Sequence, residues 1–162
     1  MDANEFREAL KHFASGVTIV TAADEEGNPL GATVSSFASL SLDPPLVLAC
    51  LAERSRTVRA IRTRRAFAVH ILDRSQHGLA RLFATDHADK FEGASYRVNA
   101  DGVPCLTDCR AVLECRLDGE YAGGDHLILV GRVEQARQSP EFEPLVYAER
   151  GFFGLGTRLV DN

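Results

Sequence analysis

Short apolar, β-branched segments separated by turn-forming residues most restrict the folds open to this chain. Residues 17–23, 46–52 and 66–72 each have the composition of a strand, and 24–28 (Asp-Glu-Glu-Gly-Asn) that of a turn. Strands do not alternate with helices of about twelve residues, as they would in a doubly wound parallel sheet. The pattern predicts a mainly β fold, a closed or partly closed antiparallel barrel with a few short α-helices.

Three segments have helical patterns. Apolar residues recur at helical spacing from about residue 3 to 13. Ser55 can cap a helix that ends near Arg64, and a further helix is expected over 75–84. We expect the first helix to end before Gly16.

The remaining segments predict strands and loops. A strand is expected over 31–37, and Gly123-Gly124 separates two more, at 111–117 and 127–133, that read as a hairpin. Residues 86–102 are polar and predict a loop. The tail at 151–162 is expected to cover a surface or to cross to a partner chain.

Length and charge limit the functional classes. The 162 residues predict a single domain over 1–162, with the 45% hydrophobic content of an ordinary globular protein. A net charge of −5 provides no basic field for nucleic acid or anionic lipid. The first residues lack a secretory signal pattern, and no apolar run reaches the roughly 20 residues that span a membrane. We therefore expect a cytoplasmic protein with no nucleic-acid or membrane partner.

The cysteines and glycines do not form familiar cofactor motifs. Cys50, Cys105, Cys109 and Cys115 lack metal-ligand spacing and the histidines are scattered, so we expect no metal site and cysteines that pack as small hydrophobic residues. The glycines at 151–156 do not follow the GxGxxG order between a strand and a helix. A nicotinamide nucleotide would have to bind without that motif.

Three polar motifs allow both a structural and a functional interpretation. The segment 33–37 (Thr-Val-Ser-Ser-Phe) fits a strand with outward polar side chains, or hydroxyl and backbone groups placed around a flat ligand. Ser55-Arg56-Thr57 fits a plain helix cap or a phosphate site. His126 stands at a strand start, where a histidine is more often structural than catalytic. Since no Ser-His-Asp, Cys-His or paired-carboxylate motif stands out, a cofactor would carry any chemistry.

Taken in order, these segments resemble the flavin reductase domain family, and in particular the small reductase components of two-component flavin-dependent monooxygenases. The resemblance rests on GVTIVT (16–21), ATVSSFASLSLDPPLVLACL (32–51), Ser55-x-Thr57, FAVHIL (67–72), LARLFA (79–84), DKFEG (89–93), LEC (113–115), GDHLILVGRV (124–133) and the segment 147–153. It covers nearly the whole chain.

The resemblance implies a split β-barrel with a Greek-key core, assembled as a homodimer with flavin near the interface. It implies that the flavin ring contacts Thr33, Val34, Ser35 and Ser36, and that the ribityl chain contacts Cys50, Leu51 and Ala52. It implies that the phosphate contacts Ser55, Thr57 and Lys90, and that Phe83 and Phe91 wall the site. It also implies a catalytic position beside the nicotinamide for His126 and nucleotide contacts from Tyr147 and Arg150.

The implied function is an NAD(P)H:flavin oxidoreductase that reduces exchangeable FMN or FAD with NADH or NADPH and releases reduced flavin to a separate monooxygenase. Two alternatives remain on the same barrel: a non-enzymatic flavin-binding or electron-transfer protein, and an oxidase-type relative that acts on an organic substrate directly. The residues do not decide between FMN and FAD, between NADH and NADPH, or among partner oxygenases.

Overall fold

A computed structural model describes residues 1–87, 89–109, 111–141 and 143–156. Within these ranges the elements are, in chain order, α1 Ala3–Leu10, β1 Ser15–Gly16, β2 Thr18–Ala23, β3 Pro29–Val34, β4 Phe37–Leu42, β5 Pro45–Ala52, α2 Arg56–Arg64, β6 Ala66–Ile71, a 3-10 turn Arg74–Gln76, α3 His77–Phe83, β7 Tyr96–Val98, β8 Pro104–Leu106, β9 Ala111–Gly123, β10 His126–Gln138, β11 Val146–Ala148 and β12 Gly151–Phe153. The mainly β prediction is confirmed.

The largest sheet is antiparallel and has the strand order β3-β2-β6-β9-β10-β5-β4. Its edge strands, β3 and β4, are consecutive in the chain and are separated by only Ser35 and Ser36. Three peptide steps reach at most about 11 Å, so the sheet must curl until its two edges approach each other. At this link the backbone N–H of Cys50 on β5 donates to the carbonyl of Ser36 at 2.9 Å, which extends the pairing of β5 with β4 by one residue. Hydrogen bonds do not join β3 to β4.

The main core lies between the curled sheet and α2. Ser55 caps α2 as predicted, and Val58 and Ile61 on its inward face are completely buried. They pack in one cluster with Val20, Phe67 and other strand residues. A smaller cluster joins β2 to α3 and to the segment that contains Phe91. Both clusters fix the position of the N-terminus of α2 and of the chain that follows α3.

A buried histidine ties three strands together. The Nδ1 atom of His70 lies 3.0 Å from the carbonyl oxygen of Ile19, and the backbone N–H of Leu106 donates to His70 Nε2 at 2.9 Å. This pair of contacts requires a neutral ring with its proton on Nδ1. Burial lowers the pKa of His70 to about 4, an effect that exceeds the opposing hydrogen bond to Ile19.

The hairpin of β9 and β10 follows the prediction but its strands are longer. β9 begins at Ala111 as expected and continues past 117 to Gly123, while β10 extends beyond the expected 127–133 to His126 and Gln138. Gly124 has a φ of +73° at the first turn position, as a II′ hairpin turn prefers.

Other boundaries differ from the predictions. The expected strand over 31–37 is two strands, β3 and β4. The third helix begins at His77 rather than at residue 75, because a 3-10 turn, Arg74–Gln76, precedes it, and the Asp73 carboxylate caps that turn by accepting the Ser75 N–H. The segment 86–102 is not wholly loop, since β7 pairs with β8. In the tail, β12 pairs with β11, and residues 157–162 lie outside the described ranges.

The first helix is shorter than predicted and its apolar side is open. An Asp2–Glu5 capping box starts α1, which ends at Leu10 rather than near residue 13. Phe6, Leu10 and Phe13 are 49%, 51% and 74% exposed. The helical spacing of these residues therefore does not reflect burial within this chain. No helix in the described ranges is both long and apolar enough to cross a membrane.

Candidate functional site

A cleft of about 500 Å³ opens beside β3 and the N-terminus of α2, and we refer to it as the first cleft. Its walls come from segments far apart in the sequence: residues 29–33, 54–57 and 83–87, together with Ala52, Lys90 and Phe91. Seven of the residues predicted from the sequence line it: Thr33, Ala52, Ser55, Thr57, Phe83, Lys90 and Phe91.

The beginning of α2 gives one wall of this cleft an affinity for anions. The Ser55 hydroxyl accepts the backbone N–H of Thr57 at 3.2 Å, and Thr57 itself is buried. The remaining N–H groups of the first turn and the helix dipole favour a negatively charged group at this position. The burial of Val58 and Ile61 holds the helix end in place.

Two arginines beside the helix start were not among the predicted phosphate contacts, which were Ser55, Thr57 and Lys90. Arg54 and Arg56 line the cleft, and in the described ranges neither guanidinium makes a hydrogen bond or an ion pair. Arg62 differs because it pairs with Glu120 at 2.9 Å. Arg65 donates to the Leu117 carbonyl at 3.0 Å. Unpaired guanidinium groups at a helix start strengthen the anion site.

Lys90 is held mainly by backbone carbonyls. Its ammonium donates to the carbonyl oxygens of Gly31 at 3.1 Å and Phe83 at 3.0 Å. Burial lowers the pKa of Lys90, and Arg56 lowers it further, while Asp86 opposes both. An ammonium has three donors, so one remains for a ligand. Lys90 therefore joins β3 to the end of α3 while adding positive charge to the cleft.

Two phenylalanines form the apolar wall. The rings of Phe83 and Phe91 meet edge to face, with centroids 5.0 Å apart and planes at 77°. Both side chains are buried. Gly31 permits this packing, since a Cβ at that position would lie 2.7 Å from Cε1 of Phe83. The wall therefore depends on a glycine in the neighbouring strand.

The predicted ring-contact residues separate along the chain. The Thr33 hydroxyl lies in the cleft and donates to the Ala80 carbonyl at 2.7 Å. Val34 faces the core instead, and its carbonyl accepts the Thr18 hydroxyl at 2.7 Å. Ser35 and Ser36 are exposed in the link between β3 and β4, beyond the Thr33 end of the cleft.

The predicted ribityl-contact residues alternate along β5. Leu51 is buried in the main core, while Cys50 and Ala52 are half-buried. Of these three, Ala52 lines the first cleft. The period of two along a strand explains why consecutive residues cannot all face one ligand.

His126 lies one strand away from the cleft. It is the first residue of β10, directly opposite Ala52 on β5. The His126 side chain is 46% exposed, and its Nδ1 lies 2.8 Å from Oδ1 of Asp125. This hydrogen bond is the main cause that lowers the pKa of Asp125, and the charge of His126 is the second cause. If the proton resides on Nδ1, the contact leaves Nε2 free for another partner.

Tyr147 and Arg150 do not line the first cleft. Tyr147 lies on β11 and packs against Phe152, with ring centroids 5.5 Å apart. Arg150 forms an ion pair with Glu8 of α1. The structure therefore does not bring these two predicted nucleotide contacts together with the other site residues of the same chain.

Three of the cysteines are poorly suited to nucleophilic or metal chemistry. Burial raises the pKa of Cys105 and Cys109 to about 11 and that of Cys115 to about 12. These thiols stay protonated near neutral pH, whereas the thiolate is the reactive form and the metal ligand.

A second cleft, of about 480 Å³, adjoins the first and was not predicted. The two clefts share Pro29, Arg56 and Phe91. Its other lining residues are Asn28, Asp89, Glu92 and Tyr96. The sequence offered little signal for it, because Tyr96 lies in the segment expected to be a loop.

Comparison with known proteins gives a consistent result over most of the chain. Residues 10–156 match the family described as flavin reductase like domain. The chain is 40% identical over 152 residues to a probable flavin reductase of Rhizobium meliloti, a match that covers 94% of this chain and 49% of that protein. This chain thus spans about half the length of that relative.

Two further relatives match over more of their length. The chain is 46% identical over 154 residues to the reductase component of a 4-nitrophenol 4-monooxygenase/4-nitrocatechol 2-monooxygenase of Rhodococcus opacus, covering 95% of this chain and 81% of that protein. It is 40% identical over 157 residues to an FMN reductase (NADH) of Agrobacterium fabrum, covering 97% and 88%.

A solved structure agrees with these matches. The NADH:FAD oxidoreductase of Streptomyces globisporus, in complex with NAD and FAD fragments, superimposes with a TM-score of 0.89 and 33% identity, covering 96% of this chain and 93% of that chain. Because the family match, the relatives and the fold all extend over nearly the whole described chain, this protein belongs to the flavin reductase-like domain family.

Proposed function

We propose that this protein is an NAD(P)H:flavin oxidoreductase that reduces FMN or FAD and releases the reduced flavin to a separate flavin-dependent monooxygenase. The observation that carries the proposal is the first cleft, in which an anion site at the start of α2 adjoins a wall made by Phe83 and Phe91. The relatives named as FMN reductase (NADH) and as a monooxygenase reductase component support this reading.

The residues present fit a phosphorylated flavin. The cleft volume is within the roughly 300–1,000 Å³ of small-molecule sites. Ser55, Thr57, Lys90, Arg54 and Arg56 would hold the phosphate, and Phe83 and Phe91 would exclude water from the middle of the ligand. Thr33, Ser35 and Ser36 would face the ring, with Cys50 and Ala52 near the ribityl chain.

A bound flavin would supply the electron chemistry, and the protein would supply binding and orientation. His126 would lie where the nicotinamide approaches, with Asp125 holding its Nδ1 and its Nε2 directed toward the ligand or solvent. The hydroxyl groups near Thr33 would orient the polar edge of the ring by hydrogen bonds. Tyr147 and Arg150 remain nucleotide-contact proposals, and they require a second chain because they lie apart from this cleft.

The same proposal includes a single domain over residues 1–162 in the cytoplasm, a split barrel and a homodimer. The curled sheet, whose edges meet at Ser35 and Ser36, supports the barrel. The exposed apolar side of α1 supports the dimer, since large contiguous apolar surfaces mark interaction sites. Sedimentation equilibrium should find a dimer that Phe13→Glu dissociates, whereas exposed Tyr121→Glu on the β9–β10 hairpin should not.

The experiment that tests the function is NADH and NADPH oxidation by the purified protein, with FMN, FAD or riboflavin in excess. Flavin-dependent loss of nicotinamide absorbance would support the reductase and identify both substrates. Flavin binding without turnover would favour the non-enzymatic electron-transfer alternative. A failure to bind any flavin would contradict the proposed function, and the family match would then describe the fold alone.

A further inference from the structure

The second cleft continues the path of the first. The first cleft follows β3 from Thr33 to Pro29, a distance of about 13 Å for four strand residues. At the Pro29 end the clefts meet, beside Arg56 at the start of α2. A ligand with its ring near Thr33 and a phosphate near Arg56 therefore has a second cavity directly beyond its phosphate.

The second cleft offers an aromatic surface in a fixed orientation. Tyr96 is 40% exposed, yet its ring packs edge to face with that of Phe91, with centroids 5.2 Å apart and planes at 75°. Phe91 is in turn fixed by Phe83. A planar heterocycle can stack on such a ring with little loss of side-chain freedom.

The polar groups of this cleft suit a ribose more than a free anion. Glu92 is exposed, and its carboxylate makes no hydrogen bond or ion pair within the described part of the chain. One carboxylate oxygen of Asp89 accepts the N–H groups of Phe91 and Glu92, at 3.2 and 3.0 Å. Carboxylates recognise ribose hydroxyls by accepting hydrogen bonds from them. Arg56 lines both clefts and lies between this acidic cleft and the anion site.

These groups together match an adenosine joined through a diphosphate. They are the aromatic face of Tyr96, the carboxylate of Glu92, which suits ribose hydroxyls, and Arg56 between the two clefts. We propose that the second cleft binds the adenosine half of FAD, and that FAD is therefore the preferred flavin of this protein. FMN would end at Arg56 and leave the second cleft to solvent. The inference rests on the proposed flavin reductase function and adds the identity of the flavin.

The test is direct measurement of the dissociation constants of FAD and FMN by equilibrium dialysis. The unaltered protein should bind FAD more tightly than FMN. Stacking of a base on an aromatic side chain contributes enough that Tyr96→Ala should weaken FAD binding by about tenfold. FMN binding should fall much less, because Phe91 keeps its contact with Phe83. Glu92→Ala, which removes no contact made within the described protein, should weaken FAD binding by about threefold and leave FMN unaffected.

Tyr121→Ala is the matched control, because Tyr121 is 63% exposed and lies outside both clefts. It should leave the FAD-to-FMN ratio unchanged. Equal loss of FAD and FMN binding in Tyr96→Ala, with no effect of Glu92→Ala, would overturn the inference. A raised KM for NADH with unchanged FAD affinity would also overturn it, by assigning the adenosine of the nicotinamide nucleotide to this cleft. If the unaltered protein binds neither flavin, it is the proposed function that fails.

Discussion

Acidification should destabilise this protein through His70 well before most carboxylates titrate. Its ring is buried and neutral, with Nδ1 bonded to Ile19 and Nε2 accepting from Leu106. The pKa of His70 is lowered from 6.5 to about 4 on folding. Because the folded pKa lies below the unfolded one, the stabilising contribution is complete above the unfolded pKa and is lost as the pH falls toward the folded pKa.

The expected magnitude follows from proton linkage. Between about pH 7 and pH 5 the unfolded chain protonates this histidine and the folded chain does not, which removes about 2 kcal/mol of unfolding free energy. The full difference between the two pKa values corresponds to about 3 kcal/mol. The other histidines, His12, His77, His87 and His126, are exposed.

Urea unfolding at a series of pH values measures this effect in the unaltered protein and in His70→Gln. The variant should lose about 1–3 kcal/mol near pH 7, because it cannot satisfy both Ile19 and Leu106. Its stability should then fall less steeply, by about 2 kcal/mol, on going to pH 5. His77→Gln is the control and should keep the original slope. Parallel curves for His70→Gln and the unaltered protein would refute the assignment.

Three further predictions concern the site. Gly31→Ala should lower the free energy of unfolding by about 1–3 kcal/mol and weaken flavin binding, because the added Cβ would meet the buried ring of Phe83. In the same thermal unfolding measurement, the control Gly78→Ala should be neutral or stabilising, because Gly78 lies in α3 with open space around it. Arg56→Ala should raise the KM for FMN by about tenfold and leave the KM for riboflavin unchanged. The control Arg59→Ala should change neither KM, because Arg59 is exposed on the same helix but lies outside the cleft. Equal effects of the two variants would exclude a phosphate contact by Arg56. His126→Ala should lower turnover by about 10–100-fold, or about 1.4–2.7 kcal/mol, and an unchanged kcat would remove it from the catalytic position.

The ends of the elements show where local sequence is sufficient. Ser55 caps α2 as predicted, and Val58 and Ile61 on the inward face of this helix are buried. Capping and periodicity act over a few residues, so they can be read from the chain directly. The third helix was predicted two residues too early, at 75 rather than at His77, because only the structure shows that Asp73 accepts the N–H of Ser75 and caps a 3-10 turn ahead of the helix.

Helical spacing predicts an apolar side but does not identify what covers it. Phe6, Leu10 and Phe13 repeat as a buried helix face would, yet they are exposed in this chain. Strand alternation likewise separates Leu51 in the core from Ala52 at the cleft, although the two were predicted to act together. Assignment of a side chain to core, ligand or partner needs the position of the neighbouring elements.

The sequence by itself determined the mainly β class, the capped start of α2, the β9–β10 hairpin and the family, because these depend on contacts between residues close in the chain or on motifs in a fixed order. Only the tertiary structure placed Arg56 beside Phe91 and Tyr96 and bonded the Lys90 ammonium to the Gly31 carbonyl. It also left the guanidinium groups of Arg54 and Arg56 without a hydrogen bond or ion pair among the described residues. Charge pairing and burial depend on atoms brought together from distant segments, and the energies of those contacts are set by distance and desolvation rather than by local pattern.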